Sequence, residues 1–278
     1  MGNRKMKGIT LNETFAPVAK FPTIRCIPAM TAPNGWVLHQ MDVKTAFLHG
    51  DSAEEVNMKQ PERYVDPAHP EKVCRCLQAL YGLKTASRVC CARLDACLTA
   101  QGFENIDPDA CFYLQMEHGE VIMVPVYVDD LLLVASSLQA MDTIKTALCE
   151  SLETEDPGEA KVILGLEIRR DKTLGILKLS QRKYATEELE KFGMVDCNYI
   201  ATPLEVGLQL ERSEESEESL SYREVVGSLM YLMGGTRPDL DFAVGKLSRV
   251  LSGYNKEHWA AVKHVARYAK GSVDKGVV

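Results

Sequence analysis

Apolar and polar positions change period several times along the chain, and each change marks an element. Around Trp36–Val43, the apolar Val37, Met41 and Val43 alternate with His39 and Gln40, the two-residue period of a half-buried strand. Val89, Cys90, Leu94, Cys97 and Leu98 then recur at helical spacing. Ser87 suits the start of that helix and Gly102 its end. Two β-rich runs follow, Ala110–Met116 and Val121–Val128, joined by Glu117-His118-Gly119-Glu120, which reads as a hairpin turn. Leu131–Ala135 is a further apolar strand. Ser137 opens a helix in which Leu138, Met141, Ile144, Leu148 and Leu152 keep the period. Val162–Arg169 and Leu174–Leu179 form another strand pair, with Asp171-Lys172 near the turn. The order strand, helix, strand, strand, helix, strand predicts a split βαβ unit, an antiparallel sheet with helices on one face, hence an α+β fold.

The first ten residues are basic and patternless, so a loose segment is expected over residues 1–11. Beyond it, a boundary is expected near residue 205, at Thr202-Pro203. There Glu211, Glu214, Glu215, Glu217 and Glu218 crowd one stretch, most simply a solvated linker. Helical patterns then cover Tyr222–Gly234, Asp239–Ser252 and Lys256–Gly271. On the last, Lys256, Lys263, Arg267 and Lys270 fall near one face and Trp259, Val262, Ala266 and Ala269 on another. Such a stripe is either a solvated face or a track for a nucleic-acid backbone.

Composition narrows the class. The 278 residues are 46% hydrophobic and 26% charged, the balance of a globular chain able to bury a core. No run of about 18 apolar residues exists, so no membrane span is expected. The start leads into no apolar stretch, and Met6 breaks the myristoylation pattern after Gly2. The expectation is an intracellular, cytoplasmic and unsecreted chain. Nine cysteines, with Cys90 and Cys91 adjacent and no C-x-x-C pair, argue against a disulfide framework or a four-ligand zinc site. They read as reduced, small apolar side chains. A net charge of −7 gives no global pull toward a polyanion, so any nucleic-acid contact must come from local basic patches.

The candidate chemistry lies in three carboxylates. Asp129 and Asp130 interrupt the apolar run Met123–Val134. Two like charges between buried strands repel each other and lose hydration, which a divalent cation with oxygen ligands would compensate. An exposed Asp-Asp turn is the bland alternative. Asp42 interrupts another apolar strand, which the deduced topology allows to lie beside that hairpin. Three convergent carboxylates could hold two Mg²⁺ ions about 4 Å apart, the arrangement that stabilises attacking and leaving oxygens in phosphoryl transfer. Taken alone, Asp42 could equally be a capping or solvated residue.

Several ordered motifs resemble those of copia-type reverse transcriptases. They are Gln40-Met41-Asp42-Val43-Lys44-Thr45-Ala46-Phe47-Leu48-His49-Gly50, Leu80-Tyr81-Gly82-Leu83-Lys84, Tyr127-Val128-Asp129-Asp130 and Leu164-Gly165-Leu166-Glu167-Ile168. Tyr222–Leu232 and Thr236-Arg237-Pro238-Asp239 complete the set. The likeness runs from about Asn12 to Val278. It implies a right-hand polymerase palm with partial fingers over residues 12–205. An acidic linker and a helical thumb-like or connection region would follow over 206–278. It also implies an RNA-directed DNA polymerase that uses two Mg²⁺ ions. By the same resemblance, Asp42, Asp129 and Asp130 are the catalytic metal-binding carboxylates. Val43 lies beside the metals with its backbone toward the nucleotide phosphates, and Phe47 is the gate against a sugar 2′-hydroxyl, with a core Phe as the alternative. Gly82 and Lys84 face template and incoming nucleotide, although Lys84 could equally be a solvated lysine. Gly165 lies in the primer grip. The implied partners are an RNA/DNA template–primer, deoxynucleoside triphosphates, and polyprotein domains (RNase H, integrase) whose signatures this chain lacks.

The chain also departs from that pattern. Thr85-Ala86-Ser87-Arg88-Val89-Cys90 stands where the family has Gln-Ala-Pro-Arg-Ala-Trp, and Cys90 in place of Trp predicts a core gap. Pro125 sits in the strand leading to the Asp pair, where an edge would tolerate it and a central position would not. The basic fingers segment expected upstream of Asn12 is reduced to Arg4, Lys5 and Lys7, and the chain stops where RNase H would begin. The alternative expectation is therefore an inactive remnant that keeps the fold and at most binds nucleic acid.

Overall fold

A computed structural model describes residues 16–49, 51–106, 111–214 and 216–278. The loose segment expected over 1–11, the start of the likeness from Asn12 to Phe15, Gly50, the strand start at Ala110 and Glu215 lie outside the described residues. The fold is mixed, with antiparallel sheets and seven α-helices among the described residues. The chain divides into two compact units, one up to Ala160 and one from Lys161.

The first unit begins with α1 (Phe21–Asn34) and β1 (Val37–Val43). In α1 the buried Ile24, Ile27, Pro28 and Thr31 keep helical spacing despite the internal prolines. Gly35, at φ 67°, closes the helix in the left-handed region. A hairpin of β2 (Asp51–Lys59) and β3 (Val73–Gln78) forms a separate two-stranded sheet. Next come α2 (Ala86–Ala100), β4 (Glu104–Asn105), β5 (Phe112–Glu117), β6 (Glu120–Tyr127), β7 (Asp130–Ala135), α3 (Leu138–Ser151) and β8 (Thr154–Glu159). Helix α2 starts one residue before Ser87, so Ser87 is not its cap. In α3, Ser137 Oγ accepts from the Ala140 amide at 3.1 Å, as a cap should, but Leu138 is exposed rather than buried.

The principal sheet has the order β4-β5-β6-β7-β1-β8, so β1 lies between β7 and β8 although it is far from both in sequence. Leu131–Ala135 are buried on both faces, which explains why β7 reads as a continuous apolar run rather than an alternating one. Strand β6 is central, not an edge. Its ladder with β7 pairs Ile122 with Ala135 and Met123 with Val134, then resumes at Val126 with Leu131. Pro125 falls in that gap: the register is the same on either side, so its missing amide costs the ladder a donor opposite Leu132, while Pro125 still pairs with Phe112 of β5.

The second unit carries β9 (Val162–Ile163), β10 (Leu166–Asp171) and β11 (Ile176–Ser180), followed by α4 (Arg182–Lys191). Helices α5 (Tyr222–Gly235), α6 (Asp241–Ser248) and α7 (Lys256–Lys270) come next, and β12 (Gly276–Val277) completes a sheet of order β12-β11-β10-β9. Tyr222, Val226, Leu240, Leu247, Val262 and Val265 form its core. The acidic stretch is not a free tether. Ser213 and Glu217 donate backbone bonds to Gly253 and Tyr254 at 3.0 and 2.9 Å, while Glu211, Glu214 and Glu218 stay exposed.

Candidate active site

Strand β1 brings the first carboxylate to the other two. Asp42 is the direct cross-strand partner of Asp130, and the Val43 amide donates to the Asp129 carbonyl at 3.0 Å. Tyr127 pairs with Asp130, so Val128 and Asp129 form a two-residue turn between β6 and β7. Val128 adopts φ 61°, a strained conformation for a β-branched residue, and such strain persists only where surrounding contacts over-determine it. Beneath the turn, the buried Cys90 thiol approaches the Val128 carbonyl at 3.9 Å. Burial pushes that thiol up to about 11, with Cys91 and Asp129 adding to the effect.

The electrostatics follow from this packing. Partial burial raises the Asp42 pKa, and the charges of Asp129, Asp130 and Glu155 raise it further. Burial also raises Asp130, an effect opposed by a hydrogen bond from Gln40 Nε2 to Asp130 Oδ1 at 3.1 Å and reinforced by Asp129. Hard oxygen donors that repel one another are the donor chemistry a divalent cation suits. Among the described residues, however, no three His, Cys, Asp or Glu side chains converge as a ready-made metal cage.

Gln40 and Glu155 escaped the sequence reading. Gln40 lies two residues before Asp42 and so shares its face of β1, a signal the strand period carries. Glu155 comes beside Asp42 because β8 pairs with β1 through a register shift between Gln40 and Asp42. Pro157 and Gly158 hide that strand in the sequence.

The remaining expected residues fall in three places. Phe47 lies in a 3-10 turn over Ala46–His49, half-buried, its ring edge-on to Tyr81 at 4.5 Å. Gly82 takes φ 88° in the exposed turn after Tyr81, and Lys84 is exposed two residues on. Gly165, at φ 70°, belongs to the second unit, in the turn between β9 and β10. On α7, Arg267 and Lys270 bind the carbonyls of Asn198 and Cys197, both at 2.6 Å, so these members of the basic stripe hold the chain's own backbone.

This arrangement, strands carrying one Asp beside a hairpin carrying two, accompanies a family match. Residues 1–206 match the family described as reverse transcriptase (RNA-dependent DNA polymerase), and the chain belongs to it. Its relatives are retrotransposon Pol polyproteins of copia type. The chain is 39% identical over 280 residues to the retrovirus-related Pol polyprotein from transposon TNT 1-94 of Nicotiana tabacum, covering 98% of this chain and 21% of that protein. To the corresponding polyproteins from transposons RE2 and RE1 of Arabidopsis thaliana it is 34% and 32% identical, covering 99% of this chain and 19% of each. The chain thus spans about a fifth of the length of these relatives. No solved structure matches it. Among the described residues no helix is long and apolar enough to cross a membrane.

Proposed function

We propose that this chain is the polymerising part of a Pol polyprotein, adding deoxynucleotides to a primer 3′-hydroxyl as directed by an RNA template. The observation that carries the reading is the pairing of Asp42 with Asp130 beside the strained Val128–Asp129 turn, in a member of the reverse transcriptase family. Asp42, Asp129 and Asp130 would hold divalent cations, in this family Mg²⁺. The metals would supply stabilisation of the attacking and leaving oxygens. The protein's own share is positional. The Val43 amide ties β1 to the turn and so helps fix Asp129, while the Val43 backbone would lie toward the nucleotide phosphates. Gln40 steadies one oxygen of Asp130 and leaves the other available. Phe47 would crowd the sugar 2′ position, while Gly82, Lys84 and Gly165 would meet template, nucleotide and primer. In this scheme the six-stranded sheet is the palm, the β2–β3 hairpin belongs to the fingers, and the helices after the acidic stretch form a thumb-like region.

A second reading is a folded chain that binds primer–template without extending it. The altered Thr85–Cys90 segment, which stands where the family has Gln-Ala-Pro-Arg-Ala-Trp, favours it. Extension of a DNA primer annealed to an RNA template, with Mg²⁺ and deoxynucleotides, separates the two. Extension lost on Asp129→Asn supports polymerisation, and binding without extension supports the second reading.

A further inference from the structure

We propose that Tyr231 is a positioning residue that holds the Leu164–Gly165 turn for contact with the primer strand, an inference that rests on the proposed polymerase reading and on Gly165 as a substrate-binding residue. Ile163 pairs with Leu166, so Leu164 and Gly165 alone make the turn, at φ 47° and 70°. The left-handed region suits glycine but not leucine, so the turn needs an external hold. Tyr231 of α5 supplies one: its hydroxyl donates to the Leu164 carbonyl. A Cβ on Gly165 would lie 3.5 Å from that same hydroxyl, so the ring sits directly against the turn.

Tyr231 is itself braced. The Tyr184 ring meets it edge-on at 4.8 Å, and its carbonyl accepts from Gln181 Nε2 at 3.4 Å. Gln181 Oε1 accepts from Thr236 Oγ at 3.0 Å, and Gln181 and Thr236 are 2% and 1% exposed. Gly235 makes room for this brace, because a Cβ there would stand 2.1 Å from the Gln181 amide oxygen. A polar chain therefore runs from Thr236 through Gln181 and Tyr231 to Leu164. Its consequence is directional. The Leu164 carbonyl and the Gly165 N–H are opposite edges of one planar peptide. Turning the carbonyl toward Tyr231 turns the N–H away from α5, where Gly165 is exposed. An outward backbone donor of this kind suits an anionic phosphodiester oxygen.

The test compares the full chain with Tyr231→Phe, which keeps the ring and removes only the donor. A fluorescent DNA primer on an RNA template, without deoxynucleotides, gives Kd by anisotropy, and thermal melting reports the fold. We expect Kd to rise about tenfold with Tm unchanged, and KM for primer–template to rise likewise with kcat retained. Unchanged Kd and KM in a wild type that binds would overturn the inference and leave the polymerase reading standing. So would a Tm that falls together with affinity, because Tyr231 would then support the fold and not the turn. A wild type that binds no primer–template would overturn the functional reading and this inference with it.

Discussion

Burial, reinforced by neighbouring carboxylate charge, makes Asp42 and Asp130 harder to ionise, which has a consequence for stability. The Asp42 and Asp130 pKa values are raised in the folded chain above the ordinary 3.8. A raised carboxyl pKa favours the fold only while the group is protonated. That contribution is full below 3.8 and is lost as pH rises through the raised values. Asp42→Asn should therefore raise Tm at neutral pH, and the gain should shrink to nothing as melting is repeated toward pH 3.8. A lower Tm at neutral pH would show that Asp42 is held by favourable contacts instead. Phe47 is decided by its surroundings in a similar way. Its ring is half-buried and meets Tyr81, itself 61% exposed, rather than a closed core. Phe47→Ala should leave circular dichroism intact and raise ribonucleotide use relative to deoxynucleotide use. Loss of about 3–5 kcal/mol of stability would instead mark a core Phe.

At the scale of elements, the turn between β6 and β7 concentrates the strain. A β-branched residue in the left-handed region costs about 1–2 kcal/mol, and glycine's greater unfolded-state freedom returns about 0.5–1 of any relief. Val128→Gly should then stabilise the chain by at most about 1.5 kcal/mol in urea denaturation, while slowing extension because the turn holding Asp129 loosens. Destabilisation would mean that the Val128 side chain's packing outweighs its backbone cost. Elements with a clean period were legible: β1, the β5–β6 hairpin, β7, α3 and the β10–β11 pair lie close to where periodicity puts them. Those missed carry contrary local signals. Pro28 and Pro33 mask α1, Pro157 masks β8, and α4 reads as a polar run because only Ala185 and Leu189 are buried on it. Cys90 is buried with its thiol 3.9 Å from the Val128 carbonyl, a contact across 38 residues that no local pattern announces.

For the molecule as a whole, the sequence marks composition shifts while the fold follows long-range pairing. The expected boundary near residue 205 tracks the acidic stretch and the family match ends at 206, while the compact units are drawn by contacts and divide after Ala160. The reason lies in partners distant in sequence. β11 pairs with β12 at the far end of the chain, and α4 packs with α5 and α7, so residues 161–205 belong with the helices beyond them. The candidate site is a similar case. Its Asp residues were visible as charges inside apolar strands, but the register that pairs Asp42 with Asp130 is set by the whole strand β1 against β7. A net charge of −7 lends such a site no general attraction for nucleic acid, so function must rest on local geometry. The most direct test is single-nucleotide extension of a DNA primer on an RNA template with Mg²⁺, each deoxynucleotide supplied separately. The account predicts addition of only the base complementary to the template, abolished by Asp129→Asn. Addition that survives Asp129→Asn, or a wild type that binds primer–template and adds nothing, would contradict it.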